Sequence, residues 1–193
     1  EELTRVQPKD LDYLEIEPVI GAPWIPKSDI KDFLLHLTKA DESAIRVENA
    51  PATGQWALSW SGNASSKSAK QKDQVTKIWG TGRADTIKIV QAALDGRPLH
   101  ITDTHSDGDK KTTVTNVIET ELANQKLMEV KQEFKDWIWS DPARRTRLHR
   151  DYNDNYNNFV ERKYDGSHLT LPNSNPNIIL RPHQKDAIWR AMQ

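Results

Sequence analysis

The stretch from Asn116 to Trp139 constrains the fold of this chain more than any other part of the sequence. Within it, apolar side chains recur at intervals of three, four or five residues, which is typical of one face of an α-helix. These side chains are Ile118, Leu122, Leu127, Val130, Phe134, Trp137 and Ile138. Asp141 and Pro142 then supply an acidic cap and a proline suited to the first turn of another helix. We therefore predict a long amphipathic helix followed by a second one over residues 142–158.

Shorter elements are expected before this helical pair. A helix is predicted over residues 28–38, and the alternation of Trp56, Leu58 and Trp60 predicts a strand over 55–60. The remaining predictions are strands over 44–48 and 75–79, a helix over 83–95 that Thr81 caps, and a hairpin of 99–104 with 111–115 around Asp107 and Gly108. Strands and helices do not alternate regularly, so we predict an α+β fold: a small mixed or antiparallel sheet with packed helices, followed by a helical C-terminal section.

Three segments are predicted along the chain. They are an α+β module over 1–115, a two-helix section with a basic strip over 116–163, and a coil with a truncated last helix over 164–193. The sequence starts at Glu1 without an initiator Met, and Met192 and Gln193 read as mid-helix residues. We therefore expect the chain to be a piece of a longer protein.

The composition excludes several classes of protein. With 27 Lys and Arg against 28 Asp and Glu, the formal net charge of the 193 residues is −1. That balance excludes a wholly basic nucleic-acid binder, although it leaves room for a local basic face. The chain contains no Cys, which excludes disulfides, thiolate zinc sites and a cysteine nucleophile. No apolar run reaches the ~20 residues of a membrane helix, so we predict a cytoplasmic protein without a membrane partner.

The known catalytic and metal-binding motifs are not matched by this sequence. The segment from Asp103 to Gly108 resembles the start of a calcium-binding loop, but His105 and Val114 stand where oxygen ligands are required. A metal-dependent nuclease built on Asp103, His105, Asp107 and Asp109 remains as one hypothesis. Apart from it, we expect no catalytic residue, no metal site and no cofactor in the chain by itself.

A cluster of arginines is the candidate binding surface. Arg144, Arg147 and Arg150 fall within about a third of the circumference of the second helix, and Arg145 lies beside them. Lys163 follows shortly after. Such a strip can contact DNA phosphates, and each neutralised phosphate adds a salt-dependent contribution to the affinity. The alternative interpretation is a solvated helix face whose positive charge is diluted by neighbouring aspartates.

The C-terminal residues resemble the beginning of a helicase motor. Leu180 to Ala191, with the sequence LRPHQKDAIWRA, is similar to the element that precedes the phosphate loop in Swi/Snf-like superfamily 2 helicases. The glutamine of that element contacts the adenine of ATP, and Gln184 matches it. A carboxamide can donate to adenine and accept from it at once. The resemblance therefore implies that Gln184 binds adenine in a full-length parent protein.

Four further segments resemble the middle region of DarB-like proteins, which phages and conjugative elements carry and which join an adenine-specific DNA methylase to a helicase. The segments are Gln7–Pro26, Trp79–Leu94, Phe134–Leu148 and Tyr152–Pro172. The resemblance implies a phage- or plasmid-encoded parent in a bacterial host, with a role in anti-restriction. It also implies methylase and helicase domains of the same chain as partners, and ATP with Mg and S-adenosylmethionine as cofactors of the parent.

Two main hypotheses of function follow. In the first, the chain is a DNA-engaging module between methylase and motor, whose four helical arginines and Lys163 hold backbone phosphates. In the second, the chain packs the two catalytic domains together without touching DNA. The second hypothesis predicts an exposed apolar patch on the isolated chain, with the long helix over 116–139 and its Trp137 and Trp139 end as the interface.

Overall fold

The computed structural model describes residues 8–50, 53–60, 72–107, 110–158, 163–170, 175 and 179–193. The helices in these ranges are α1 (Lys27–Thr38), α2 (Thr86–Leu94), α3 (Val117–Ile138), α4 (Pro142–Asn155) and α5 (Pro182–Met192). The strands are β1 (Ile45–Ala50), β2 (Gln55–Trp60), β3 (Thr102–Asp107) and β4 (Lys110–Thr115). A 3₁₀ turn, Glu42–Ala44, leads into β1. The long helix and the helix that follows it are therefore confirmed.

The strands form two antiparallel pairs. β1 pairs with β2, so that Ile45 lies opposite Trp60, and β3 pairs with β4, so that Thr102 lies opposite Thr115. The predicted hairpin is thus present as β3–β4, and its two connecting residues lie outside the described ranges. Two small antiparallel sheets with packed helices make this an α+β fold, as predicted.

A hydrophobic core joins α1, α2, α3 and the β1–β2 pair. Phe33 of α1 meets Phe134 of α3 edge to face, with ring centroids 5.0 Å apart. Leu148 of α4 is fully buried in the same core. The residues that α3 buries are Ala123, Leu127, Val130, Phe134 and Ile138. These five positions recur every three or four residues, and this is why a polar sequence forms so long a helix here.

A glutamine side chain ties the β1–β2 pair to α2. The Gln91 carboxamide donates to the carbonyl of Trp56 at 2.8 Å and accepts from the N–H of Leu58 at 3.0 Å. It therefore satisfies the backbone groups that β2 presents away from β1. Trp56 itself is buried and belongs to the hydrophobic core.

Residues 75–79 form no strand, contrary to the prediction. Gln74–Ile78 is a π-helical turn, closed by a hydrogen bond of 3.1 Å from the N–H of Trp79 to the carbonyl of Gln74. The carbonyl of Val75 approaches Gly80 so closely that a Cβ added there would lie 2.1 Å from it. Gly80 is therefore required by this close approach of two backbone segments.

The cap of α2 also differs from the predicted one. Asp85 precedes the helix directly and accepts a hydrogen bond from the N–H of Lys88 at 2.9 Å. Thr81 closes the turn before it instead, because its hydroxyl accepts from the N–H of Ala84 at 3.0 Å. The carboxylate at the cap position satisfies one of the free N–H groups of the first helical turn.

The chain divides into two compact units. The first, Asp10–Asn157, contains α1 to α4 and all four described strands. The second combines Glu1–Lys9 with Asn158–Gln193 and contains α5. The segment boundary predicted at residue 115 falls inside the first unit, and the one at residue 163 falls inside the second. No described helix is both long and apolar enough to cross a lipid bilayer.

Candidate functional site

The arginine helix α4 begins as its sequence predicts. Pro142 occupies the first helical turn, and the Asp141 carboxylate accepts a hydrogen bond from the N–H of Arg144 at 2.7 Å. Leu148 and Asn153 are the buried residues of this helix. Because Leu148 faces the core, the arginines around it project along the sides of α4 and reach other parts of the first unit.

Arg144 closes the C-terminal end of α3. Its Nε donates to the carbonyl of Ile138 at 2.9 Å, and its Nη2 donates to the carbonyl of Trp137 at 2.7 Å. The guanidinium also lies 3.6 Å from the centroid of the Trp137 ring, within range of a cation–π interaction. Burial lowers the pKa of Arg144 from its ordinary value, although nearby carboxylates such as Asp141 oppose that shift. This arginine therefore satisfies carbonyls that a helix end leaves without partners.

Arg147 forms an ion pair with an almost inaccessible carboxylate. Its Nη2 lies 2.6 Å from Oδ1 of Asp29, whose side chain is 1% exposed in the first turn of α1. The other carboxylate oxygen of Asp29 has no hydrogen-bond partner among the described residues. Arg147 is itself about half exposed, so the pair joins α4 to α1 at the edge of the core.

The two remaining arginines of α4 also meet groups of the same unit. Arg150 donates from Nε and Nη2 to the two carboxylate oxygens of Asp154, and its Nη1 lies 3.4 Å from Asp10. The hydrogen bond with Asp154 raises the pKa of Arg150. The guanidinium of Arg145 lies 4.9 Å from the centroid of the Tyr13 ring. α4 thus brings the four arginines together, and each of them contacts a group of its own unit.

The other predicted site residues lie in the second unit. Lys163 is exposed there. Gln184 lies in the first turn of α5, where its Oε1 accepts from the N–H of Arg181 at 2.9 Å and helps to close the start of the helix. Adenine binding by Gln184 stays a prediction.

The acidic segment around Asp103 forms part of the β3–β4 hairpin. The Asp103 carboxylate accepts from Arg83 Nη1 and from Asn116 Nδ2, both at 2.8 Å. These hydrogen bonds, with that from Arg83 the larger, lower the pKa of Asp103. The side chains of Asp107 and Asp109 lie outside the described part of the chain. In that part, no three His, Asp or Glu side chains are grouped as a metal ion requires.

Most of the tryptophan rings pack against other aromatic rings or against the core. Trp24 stacks on Trp139 and meets Tyr152 edge to face, with centroids 6.0 and 5.2 Å apart. Trp137 packs between Arg144 and the Phe33 ring. Trp137 and Trp139 thus pack against the core of the unit while staying partly exposed, and their role as an interface stays a prediction.

The opposite end of α3 exposes apolar residues that the sequence pattern assigned to the same helix face as the buried ones. Ile118 and Leu122 are 73% and 45% exposed, because they lie one turn apart on the side of α3 that faces away from the core. Val114 at the end of β4 and Val117 at the start of α3 are 55% and 71% exposed. We call these four residues the α3 outer patch. The sequence signal was the interval of five between Leu122 and Leu127, which moves the apolar pattern to another helix face.

Residues 19–158 match the family described as "Domain of unknown function (DUF8437)". The match spans more than half of the chain and lies almost entirely within the first compact unit. No curated protein and no solved structure matches the chain.

Proposed function

The chain belongs to the DUF8437 family, and we propose that its first compact unit is a packing module that binds a neighbouring protein domain. The α3 outer patch is the observation that carries this proposal. Exposed apolar residues that occur singly need no explanation, but neighbouring ones mark a surface that another molecule covers. Four such residues lie within nine consecutive positions at the junction of β4 and α3.

Acidic side chains at the edge of the patch indicate the chemistry of its partner. Glu119 and Glu121 lie between the apolar residues in sequence, and no ion pair joins either to another described residue. A matching surface has an apolar centre and Lys or Arg side chains at its rim. In the methylase–helicase proteins that the sequence resembles, the methylase and helicase domains of the same chain are the partners we propose.

The contacts of the arginines favour packing over DNA binding. A phosphate that approached Arg144 would compete with the two carbonyls of α3 that this side chain already binds. At Arg147 it would compete with the buried carboxylate of Asp29. By contrast, a protein that covers the α3 outer patch displaces only water, and the burial of apolar area stabilises the complex by about 25 cal/mol per Å² before the costs of association.

The experiment measures binding of the chain to the separately produced methylase and helicase segments of the parent protein by isothermal titration calorimetry. We expect one of them to bind, and we expect the double substitution Ile118→Lys and Leu122→Lys to weaken binding at least tenfold. Met128→Lys is the matched control, because Met128 is 66% exposed on α3 but lies outside the patch. If neither segment binds, or if the control weakens binding equally, the proposal is wrong.

Fluorescence anisotropy with labelled duplex DNA at several salt concentrations tests the competing hypothesis. If the packing proposal is right, the arginines hold no DNA. Replacing Arg144, Arg147 and Arg150 together by Ala should then leave the affinity for DNA unchanged. Binding that falls steeply with salt, and whose salt slope decreases in that variant, would instead support phosphate contacts.

A further inference from the structure

The β3–β4 hairpin makes few contacts with the body of its unit. The described side chains of Thr104, His105, Thr112 and Thr113 are all exposed, so neither face of the hairpin is covered. Its base is held by Asp103, which bonds to Arg83 and Asn116. A two-stranded hairpin is marginally stable by itself, and a third or fourth strand stabilises it substantially.

The register shows which backbone groups point away from the hairpin. Asp107 lies opposite Lys110 across a two-residue connection, so this pair is hydrogen-bonded and every second pair after it is as well. The pair of Thr104 and Thr113 is then a non-hydrogen-bonded one, and both residues direct their N–H and C=O groups outward. Lys111 and Thr115 also belong to non-hydrogen-bonded pairs, so their backbone N–H and C=O groups point outward as well.

The two edges of the hairpin differ. On the β3 edge, the carbonyl of Thr102 accepts a hydrogen bond from Arg83 Nη2 at 2.9 Å, so a side chain already occupies part of this edge. On the β4 edge, the outward groups of Thr113 and Thr115 receive no hydrogen bond from any described residue. An unpaired edge of this kind is a template for another strand.

We propose that β4 pairs with β4 of a second copy of this chain, antiparallel and about a two-fold axis at Thr113. The sequence KKTTVT is compatible with itself in this register. Thr113 faces Thr113 of the copy and exchanges both backbone hydrogen bonds with it, while Lys111 faces Thr115 and Thr112 faces Val114. No lysine opposes a lysine, so like charges do not resist the pairing. The result is a four-stranded sheet in the order β3, β4, β4, β3.

Proline substitutions test which edge of the hairpin pairs with the second copy. Thr113→Pro removes the outward N–H of β4 and places a ring on that edge, whereas Thr104→Pro does the same to β3. Both leave the bonds inside the hairpin intact, because residues 104 and 113 form a non-hydrogen-bonded pair. In sedimentation velocity we expect a concentration-dependent dimer for the wild type and for Thr104→Pro. We expect a dissociation constant at least tenfold weaker for Thr113→Pro. A wild type that stays monomeric throughout the accessible concentration range overturns the proposal, as does equal weakening by both prolines.

Cysteine cross-linking gives an answer even if a proline variant folds poorly. The chain has no Cys, so a single introduced thiol can react only with its copy. Two Thr113 residues that form a hydrogen-bonded pair about the axis have Cα atoms about 5.5 Å apart, which is within reach of a short bismaleimide cross-linker but leaves their Cβ atoms farther apart than a disulfide requires. Thr113→Cys treated with this cross-linker should therefore form covalent dimers, and Thr104→Cys should not. Equal cross-linking of the two variants refutes the β4 edge. The Ile118→Lys and Leu122→Lys variant should remain dimeric, which keeps this proposal distinct from the packing proposal.

Discussion

Arg144 is the residue at which a structural role and a DNA-binding role give the most different predictions. In the structure its guanidinium donates to the carbonyls of Trp137 and Ile138 and lies 3.6 Å from the centroid of the Trp137 ring. Arg144→Ala removes these two hydrogen bonds, a longer one of 3.3 Å to Ser140 Oγ and the ring contact, while leaving the backbone of α4 helical. We therefore expect this substitution to destabilise the first unit, with or without DNA.

The magnitude follows from the contacts that are lost. A hydrogen bond to a charged group stabilises a protein by roughly 1.5–3 kcal/mol when it is well buried. We assign about 1 kcal/mol to each bond of Arg144, because water can reach the two carbonyls once the side chain is truncated. The cation–π contact adds about 0.5–1 kcal/mol. We expect the free energy of unfolding to fall by about 2–3 kcal/mol, which for a unit of this size lowers the melting temperature by roughly 5–10 °C.

Urea unfolding followed by tryptophan fluorescence measures this change. Arg145→Ala is the matched control, because it removes the neighbouring arginine, whose guanidinium faces only the Tyr13 ring in the described contacts. We expect it to cost less than about 1 kcal/mol. Arg144→Lys should recover little of the loss, since an ammonium cannot reproduce the planar fork that serves two carbonyls and one ring. If Arg144→Ala and Arg145→Ala unfold at the same urea concentration with equal slopes, the capping role is refuted.

Two further predictions concern other contacts of the first unit. Asn153→Ala should lower the free energy of unfolding by about 1–3 kcal/mol, because the buried carboxamide accepts from the N–H of Leu11 at 2.8 Å and donates to its carbonyl at 3.0 Å. Urea unfolding measures the loss, and an unchanged midpoint would contradict it. The hydrogen bond from Arg83 is the main cause that lowers the pKa of Asp103 in the folded state. The ionised carboxylate therefore stabilises the fold fully above the ordinary aspartate pKa of about 4. This stabilisation is lost as the pH falls through the lower pKa of the folded state. An NMR titration should show the Asp103 pKa rising toward its ordinary value in Arg83→Gln, and no rise would contradict the assignment.

Helices with local signals were predictable from the sequence. α3 and α4 follow from apolar periodicity and from the Asp141–Pro142 start signal, all of which lie within a few residues of the element they specify. The π-helical turn at Gln74–Ile78 was not predictable, because its β-branched residues are typical of strands and its geometry depends on the approach of Gly80. Local propensity decided the first two elements and tertiary packing decided the third.

The groups that the arginines contact could not be predicted from the sequence, for a different reason. Arg147 pairs with Asp29, which lies 118 positions earlier in the chain, and a single sequence carries no sign of such a pairing. Sequence spacing places Arg144, Arg147 and Arg150 near one another on a helix, and the structure agrees. It cannot show which of them face carbonyls or carboxylates of their own unit. A strip of cations defined by spacing alone is therefore an incomplete description of a binding surface.

Some surface groups of the first unit are already bound to other groups of the unit, whereas others face only water. This difference supports packing over DNA binding. Drawing the Arg147 guanidinium away from Asp29 would leave a buried carboxylate without its ion pair, a change that costs about 3–5 kcal/mol for fully buried pairs and less for a half-exposed arginine. Each phosphate contact at Arg144 would similarly release carbonyls of α3. Contacts at the α3 outer patch and at the β4 edge carry no such cost, because the groups there face water. The surfaces that can bind without weakening the fold thus lie together between β3 and the second turn of α3.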